Sequence, residues 1–561
     1  MNMAAPIIMP DPPQSMRDQV IVSTCLAEFA EQRSWRTNFE TQWDETAALI
    51  WPAMRNTFTY GSYNHPGEKK TEHQIDSTGM IGLSRFGAIS DSMMTPRNMQ
   101  WHELTADDDY LMRIRRVRLW FQAATKALFK YRYSPIAGFA GQNQGVYKHL
   151  GAYGTGCMFV DKPARAPGLR YKNVPLGQIY LDEDHQGVVV GFTRFMRMVA
   201  RQALTMWKEE QLPQKVREAA ARNSPQLFEF IHRVKLRPDH DPERWDSRSM
   251  QFASYYISVD CQRLIDESGY VTFPLAGSRY EQSAEEVYGR GPATFVLPAL
   301  KTLNAEKKVF LKQGHRAADP VLLTADDGIV DMSMRPGSMN KGGWSSQGHP
   351  LVGVLPTGEI QITKEMMAEE RALINDAFLV TLFQILTESP SMTATEVIER
   401  TNEKGILLAP TMGNQSNEYL GPMIGRELDL LSQQGLLPEM PPELIEAQGA
   451  YQVRYTSPLA KAARAQEAGG FMRTVEMASG LVNISQDPSL LDPFNFDIAI
   501  PQIAEIQSVP ESWMASEDQI LAKRKNRAQA QAAAAQVQAM PAQAAMAKAE
   551  TDRAVKLGEG Q

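Results

Sequence analysis

Cysteine is nearly absent from this sequence, with Cys25, Cys157 and Cys261 the only three in 561 residues. No two have the spacing of a zinc knuckle or a redox pair, and an odd number argues against a disulfide framework. They are expected to be buried or inert thiols in a reducing compartment. A membrane-spanning run is also missing. The most apolar helical stretch, residues 377–386 (AFLVTLFQIL), is about half the length a bilayer requires and carries Thr381 and Gln384. The opening residues, MNMAAPIIMPDPPQSM, lack the basic start and apolar centre of a signal peptide. A soluble, intracellular chain is expected. Positive charge is not in excess: 58 Lys and Arg stand against 65 Asp and Glu, for a net charge of −7. A protein that grips DNA by neutralising phosphates is usually basic, at least locally.

Catalytic motifs are lacking too. The nine His residues include no His-Glu-x-x-His, and no Gly-x-Ser-x-Gly elbow occurs. Residues 343–350 (GWSSQGHP) have the Gly-x4-Gly spacing of a phosphate loop, but His349 and Pro350 occupy the places of the Lys and the Ser or Thr. Residues 182–187 (DEDHQG) begin like a calcium loop. Gln186 then takes the fifth position and Thr193 the place of the closing Glu, so a solvated acidic turn is expected. Tyr288, Gly289, Arg290, Gly291 and Pro292 offer Gly-x-Gly without a third Gly, and Pro292 stiffens the turn. A tight strand-to-helix corner is the expectation. The basic run at 523–527 (KRKNR) lies beside Glu517 and Asp518 and suits a solvated helix face. No catalytic, cofactor-binding or metal-ligating set is assigned, and the chain is not expected to be an enzyme.

What is present is apolar material and alternating pattern. Apolar residues make up 43% of the chain, enough for a sizeable core in about three or four ordinary domains or fewer large ones. The spacing of Val20, Ile21, Leu26, Phe29 and Ala30 predicts a helix over 15–52. Further helices are predicted over 79–101, stopped near Pro96, and over 107–131, with an acidic start suited to a helix N-terminus. Short β-rich runs between 156 and 200 predict a small antiparallel sheet; 201–223 returns to helix, and 228–238, 252–260 and 270–280 to strand.

After Pro292 a helix is predicted over 297–316, with Pro298 in its first turn. Leu300, Leu303 and Phe310 fall near one face; Lys301, Asn304, Lys308 and Lys312 cover others. Residues 320–359 are rich in Gly and Pro, and Val321, Leu322, Leu323, Ile329, Val330 and Val352 could give a compact β module a core. A second long helix is predicted over 363–386, its later half apolar nearly all round and therefore destined for an interior or a subunit interface. Pro390 ends it. Thr393 and Glu396 have the spacing of a capping box, so a new helix starts at once, interrupted by Gly405, Pro410, Gly413 and Gly421. The tail, 516–557, is rich in Ala and Gln with few large apolar residues. It is either frayed or a helix sheltered by copies of itself.

Three segments in order, VYGRGPA leading into LKTLN, the Gly/Pro-rich β module, and MTATEVIER followed by LGPMIGRELDLLSQQGLLP, closely resemble the portal (head-to-tail connector) proteins of short-tailed bacteriophages; YTSPLAKAARAQE at 455–467 adds a further match. The likeness covers most of residues 20–530. It implies an α+β, mainly helical portal fold of wing, stem, clip and crown, assembling as a ring, usually dodecameric, around a central channel at one capsid vertex. It further implies an N-terminal wing at 1–290, a first stem helix at 291–317, a clip at 318–361 and a second stem helix at 362–386. Thr387, Glu388, Ser389, Pro390, Ser391 and Met392 would form a tunnel loop facing the DNA channel, with Thr393, Thr395 and Glu396 opening the helix behind it. Residues 393–515 would be the kinked helix and remaining wing, and 516–561 a helical crown. Implied partners are further copies of the chain, the terminase large subunit, tail adaptor and other tail proteins, major capsid and scaffolding proteins, and double-stranded DNA bound without sequence preference. No cofactor and no membrane are implied; the place of action is the virion, after assembly in the host cytoplasm. Two rivals stand beside this. A packaging ATPase needs a Walker Lys and an acidic pair that the sequence does not offer. A coiled-coil scaffold or other structural virion protein needs sustained heptads, against which the β-rich stretches count.

Overall fold

The computed structural model describes residues 11–61, 67–72, 74–244, 246–324, 333, 335, 337–339, 344–345, 347–355, 360–381, 413–447, 449–455, 469–481, 493–506, 513–515 and 519–531. In chain order the elements are α1 (Met16–Ile50), α2 (Thr78–Met94), β1 (His102–Ala106), α3 (Asp109–Arg113), α4 (Arg115–Arg132), α5 (Phe139–Tyr153), β2 (Thr155–Asp161), β3 (Arg170–Val174), β4 (Ile179–Glu183) and β5 (Val189–Val199). There follow α6 (Ala200–Met206), α7 (Gln214–Ala221), β6 (Leu227–Leu236), β7 (Phe252–Ser258), β8 (Arg263–Tyr270), β9 (Leu275–Arg279), α8 (Pro292–Phe295), α9 (Leu297–Ala318), β10 (Leu322–Thr324), β11 (Val352–Val354) and α10 (Ile360–Ala377). A π-helical turn, Gln415–Leu420, leads into a helix at Gly421–Gln433, followed by a short helix at Pro442–Glu446, β12 (Tyr451–Tyr455) and a helix at Phe496–Ile506.

The chain divides into two compact units, one of Met1–His102, Lys126–Leu437 and Tyr455–Leu459, the other of Glu103–Thr125, Pro438–Arg454 and Ala460–Gln561. In the first unit, α1 starts where the Ser15 hydroxyl accepts the Asp18 N–H at 3.1 Å, an N-cap that satisfies one orphan donor. Its buried residues, Val22, Cys25, Phe29, Arg36, Trp43, Ala47 and Ile50, recur at helical spacing along one face. Arg36 is fully buried because its fork is fully used: it donates to the carbonyls of Leu176, Ile179 and Phe58 and to Glu40. A five-stranded antiparallel sheet in the order β4-β5-β6-β7-β8 faces a three-stranded sheet in the order β3-β2-β9, with Phe159 of β2 touching the rings of Phe192, His232 and Tyr270. The main core gathers Trp43, Phe58, Phe86, Cys157, Phe192, Val234, Leu300, Ile374 and Phe378.

In the second unit β1 pairs with β12. Val117, Trp120, Phe121 and Ala124 form the buried stripe of α4 there. The Trp120 indole N–H donates to the Pro438 carbonyl at 3.0 Å, and Arg115 donates to the Met514 carbonyl at 3.2 Å. Residues 519–531 are helical and exposed throughout.

Several expectations are corrected. The single helix over 107–131 is two, because Ile114 is extended (φ −78°, ψ 111°) between α3 and α4. The helix over 201–223 is also two, parted by Trp207–Pro213. The helix expected to run on to residue 386 is interrupted after Ala377: Leu379 takes a left-handed φ of +61°, which tucks Phe378 and Val380, both buried, into the main core. Residues 377–380 of the apolar half therefore pack in the interior of their own subunit, while 382–386 lie outside the described residues. The expected core of the β module is not formed among the described residues: β10 and β11 make only a two-stranded sheet, and Val321 and Leu323 are exposed. A single two-stranded layer has no second layer to bury against. Ile329 and Val330 lie outside the described residues.

Candidate functional site

The corner Tyr288–Pro292 is where the chain leaves the sheets and enters the helix pair α9 and α10. Tyr288 is its buried anchor. Its ring meets Trp43 edge-on at 5.1 Å and Phe39 at 5.4 Å, and its hydroxyl accepts the Leu181 N–H at 3.2 Å. Burial pushes the phenol up to about 12, so it stays neutral and acts as a wall with one hydrogen bond. The Gly289 N–H donates to Thr155 Oγ1 at 2.9 Å, and the Arg290 N–H to the Glu281 carbonyl at 2.7 Å. The Arg290 guanidinium donates twice to Glu286, at 2.9 and 2.5 Å. With these donors already engaged, the Gly-x-Gly is a corner and not a phosphate cradle.

What makes the corner tight is a backbone crossing. Gly154, at the C-terminus of α5, has φ +75°, and a Cβ there would lie 2.3 Å from the Arg290 carbonyl carbon and 2.4 Å from the Gly289 oxygen. A Cβ on Gly291 would lie 2.6 Å from the Leu150 oxygen. Two backbones pass with no side chain between them, which only glycine permits. Pro292 then opens α8 in the first turn, and Pro298 does the same for α9.

From this corner α9 runs out, the chain reverses through β10 and β11, and α10 returns alongside. Only the start of α9 is buried, at Leu297, Ala299, Leu300 and Leu303. Asp76, just before α2, pins both helices: its carboxylate receives Arg371 of α10 at 2.8 Å and Lys307 of α9 at 3.8 Å. Asn304 Oδ1 accepts the Ile75 N–H at 2.7 Å. Burial alone would raise the Asp76 carboxyl, but hydrogen bonds from Arg371 and Thr78 outweigh it and hold it below the usual carboxylate range. Opposite charges are not the only pairing. Glu306 of α9 is pushed up by burial and by the Glu370 carboxylate of α10.

The sign of the Asp76 shift gives a test. A depressed carboxyl contributes stability above the unfolded value, near pH 4, and loses it as pH falls through the folded value. Asp76→Asn is expected to cost about 1.5–3 kcal/mol at neutral pH, as for a hydrogen bond to a charged group. The gap between wild type and variant, followed by urea denaturation, should stay level from pH 7 to about 5 and close below about 4. A gap that persists unchanged at pH 3 would show that Asp76 does not act through its charge.

Thr387, Glu388, Ser389, Pro390, Ser391, Met392, Thr393, Thr395 and Glu396 lie outside the described residues. The turn that follows them is firmly anchored. In Gln415–Leu420, Gln415 accepts from Ser278 and donates to the Arg279 carbonyl at 2.9 Å. Glu418 takes the Arg279 guanidinium at 2.9 and 3.1 Å, and the Tyr419 hydroxyl donates to Asn143 at 2.6 Å. These anchors were not singled out from sequence, since their partners come from α5 and β9. Of the segment expected to be interrupted at Gly405, Pro410, Gly413 and Gly421, residues 393–412 lie outside the described residues, and a π-helical turn stands immediately before Gly421.

The described residues of the other two candidate loops form turns closed by their own hydrogen bonds. At the β4–β5 turn, Asp184 Oδ1 accepts the N–H groups of Gln186 and Val188, both at 2.9 Å, which makes it the expected acidic turn. At 345–349 the Ser345 N–H donates to the His349 carbonyl at 2.7 Å, and Gly348 has φ +80°. Among the described residues no three His, Cys, Asp or Glu side chains are grouped to hold a metal, and no helix is long and apolar enough to cross a membrane.

A family model described as "Bacteriophage head to tail connecting protein" matches residues 22–514. The probable portal protein of Bordetella phage BPP-1 is 26% identical over 559 residues, covering 97% of this chain and 96% of that protein. The portal protein of Salmonella phage epsilon15 is 25% identical over 529 residues, covering 90% of each. Among solved structures, the virion of a native gene transfer agent particle matches 71% of this chain and 85% of its own at 11% identity and a TM-score of 0.36. The neck of an empty particle of that agent matches 70% and 86% at 12% identity and a TM-score of 0.34. Likeness at those scores adds nothing to the family match.

Proposed function

The chain belongs to the bacteriophage head-to-tail connecting proteins, and from that premise we propose that its copies form a closed ring at one capsid vertex, twelve-membered as the family pattern implies. Through this ring DNA enters during packaging and leaves toward the tail. The protein is a connector and not an enzyme. The carrying observation is the family match over residues 22–514, with two portal proteins as near full-length relatives.

The layout we propose is the one the family likeness implies. The wing takes in residues 1–290. Stem helices take in 291–317 and 362–386, flanking a clip at 318–361. A tunnel loop at 387–392 precedes the kinked helix and remaining wing at 393–515, and the crown is 516–561. In favour of the stem, α9 and α10 expose Val309, Leu311, Met366 and Leu373, each 45% exposed or more. Such apolar surface suits contact with a neighbouring copy, and a head-to-tail contact that closes on itself makes a ring. The exposed Val321, Leu323, Trp344 and Val354 suit a clip that meets the terminase large subunit and then tail adaptors. Capsid and scaffolding proteins would surround the ring in the virion, after assembly in the host cytoplasm. A net charge of −7 fits a conduit that lets DNA slide, because cumulative phosphate contacts would hold it.

Electron micrographs of the purified full chain are expected to show closed rings with an axial hole. A chain that stays monomeric at every concentration would end the proposal. Deleting 387–392 is expected to leave the rings intact while most packaged DNA is lost. Absent rings would make the segment structural; unchanged packaging would remove it from the channel.

A further inference from the structure

The facing sheets of the first unit hold a cation with no counter-ion. Arg194 of β5 is only 9% exposed. Its Nε is buried with no hydrogen-bond partner, and among the described residues no carboxylate pairs with it. Its register partner on β6 is His232, so both side chains lie on one face of the five-stranded sheet. His232 lies 6.1 Å from the ring of Phe159 on β2. That face therefore looks onto the three-stranded sheet, where Lys172 of β3 is the register partner of Phe159. Lys172 is exposed and Arg194 buried, and the two are near enough for their charges to act on each other.

The surroundings are polar but not acidic. His232 is stacked on Tyr256 at 4.1 Å and bonded to Ser254 at 2.9 Å. Burial pushes its imidazole down to about 3, with Arg194 adding to the effect, so it is neutral and neither repels nor neutralises an anion. Lys172 is held below its usual value by burial and by the charges of Arg194 and Arg170. Asp161, at the end of β2, is engaged by Arg426 at 3.8 Å. A buried guanidinium carries a desolvation cost that a paired anion would offset.

We propose that Arg194 and Lys172, brought together between the two sheets, bind a phosphate-class oxyanion. A planar guanidinium beside an ammonium matches two oxygens of one phosphoryl group. The phosphoryl group can come from a free phosphate ion or from a phosphodiester of nucleic acid, and the two are separable.

The test is isothermal titration of the purified full chain with sodium phosphate and, separately, with a thymidine dinucleotide, against chloride of matched ionic strength. One site per chain is expected for at least one titrant, and which one binds names the source. In Arg194→Met and in Lys172→Met binding should weaken at least about tenfold, the loss of one charge-assisted hydrogen bond. Arg170→Met, farther out on the same strand, should weaken it less. No binding of either titrant overturns the proposal, as does unchanged binding in Arg194→Met. Removing an unpaired buried charge is not expected to unfold the chain, and circular dichroism checks this. If Arg194→Met does unfold, the exposed Lys172→Met decides alone: unchanged binding there overturns the site.

Discussion

Gly154→Ala is expected to cost about 2–5 kcal/mol, the sum of a left-handed backbone forced on an L-residue and of overpacking against a neighbour that cannot yield. Against a domain stability of about 5–15 kcal/mol, that empties much of the folded state. The neighbour is backbone: a Cβ at Gly154 would lie 2.3 Å from the Arg290 carbonyl carbon and 2.5 Å from its Cα, so no rotamer change relieves the contact. The two causes can be separated. Gly291 has φ −102°, an unstrained value, yet its Cβ would meet the Leu150 oxygen at 2.6 Å. Gly291→Ala should therefore carry the crowding cost alone and fall between Gly154→Ala and wild type in denaturation midpoint. Gly277→Ala, where nothing lies within 4 Å, should stay near wild type. A Gly154→Ala chain with the wild-type midpoint would show that the crossing is looser than its geometry. Because this crossing sets the direction in which α9 leaves the sheets, a variant that still folds is expected to form rings poorly.

The corner itself was legible in the sequence, since Gly-x-Gly followed by Pro demands a turn and then a helix start. Its other half was not. Gly154 closes α5, far upstream, and no local pattern joins the two. The helix α5 was missed for a related reason. Gly141, Gly145 and Gly151 dilute its helical pattern, yet a Cβ on Gly151 would lie 2.6 Å from Phe86 Cδ1; tertiary packing, not propensity, decides that helix. The extent of α1 was readable from its apolar content, but its buried face was not: Val20 and Ala30, expected inside, are exposed, and Val22 and Cys25 are buried beside Phe29 instead. The break at Leu379 was not readable, because no Gly or Pro marks it and the reward, burial of Phe378, comes from Gly82 and Phe86 on α2. The stem, clip and loop proposed above rest on family likeness rather than periodicity.

Arg132→Met is expected to cost about 3–5 kcal/mol, the penalty for stranding one member of a buried ion pair. Arg132 and Glu427 are both fully buried. Arg132 Nε donates to Glu427 Oε1 at 3.1 Å and its Nη2 to Oε2, while the Tyr171 hydroxyl donates to Oε1 at 2.6 Å. The remaining arm, Nη1, lies 2.8 Å from His102 Nε2. Arginine can only donate, so that nitrogen accepts and His102 is neutral, in keeping with burial and the Arg132 charge holding it well below its usual value. The Trp101 ring, 4.6 Å from the guanidinium, covers it. Without Arg132, the Glu427 carboxylate keeps only Tyr171 as donor; without Glu427, as in Glu427→Leu, the guanidinium is left with His102 alone. Each single variant should thus be severely destabilised, while the double variant Arg132→Met with Glu427→Leu removes both charges together. It should recover at least about 2 kcal/mol relative to the sum of the singles, because apolar replacement of a whole buried pair is often close to neutral. The comparison is made by urea denaturation of the four chains. Strict additivity would mean that the helix at Gly421–Gln433 is held to the end of α4 by independent bonds; recovery would mean that the pair acts as one fastening, which either charge alone turns into a liability.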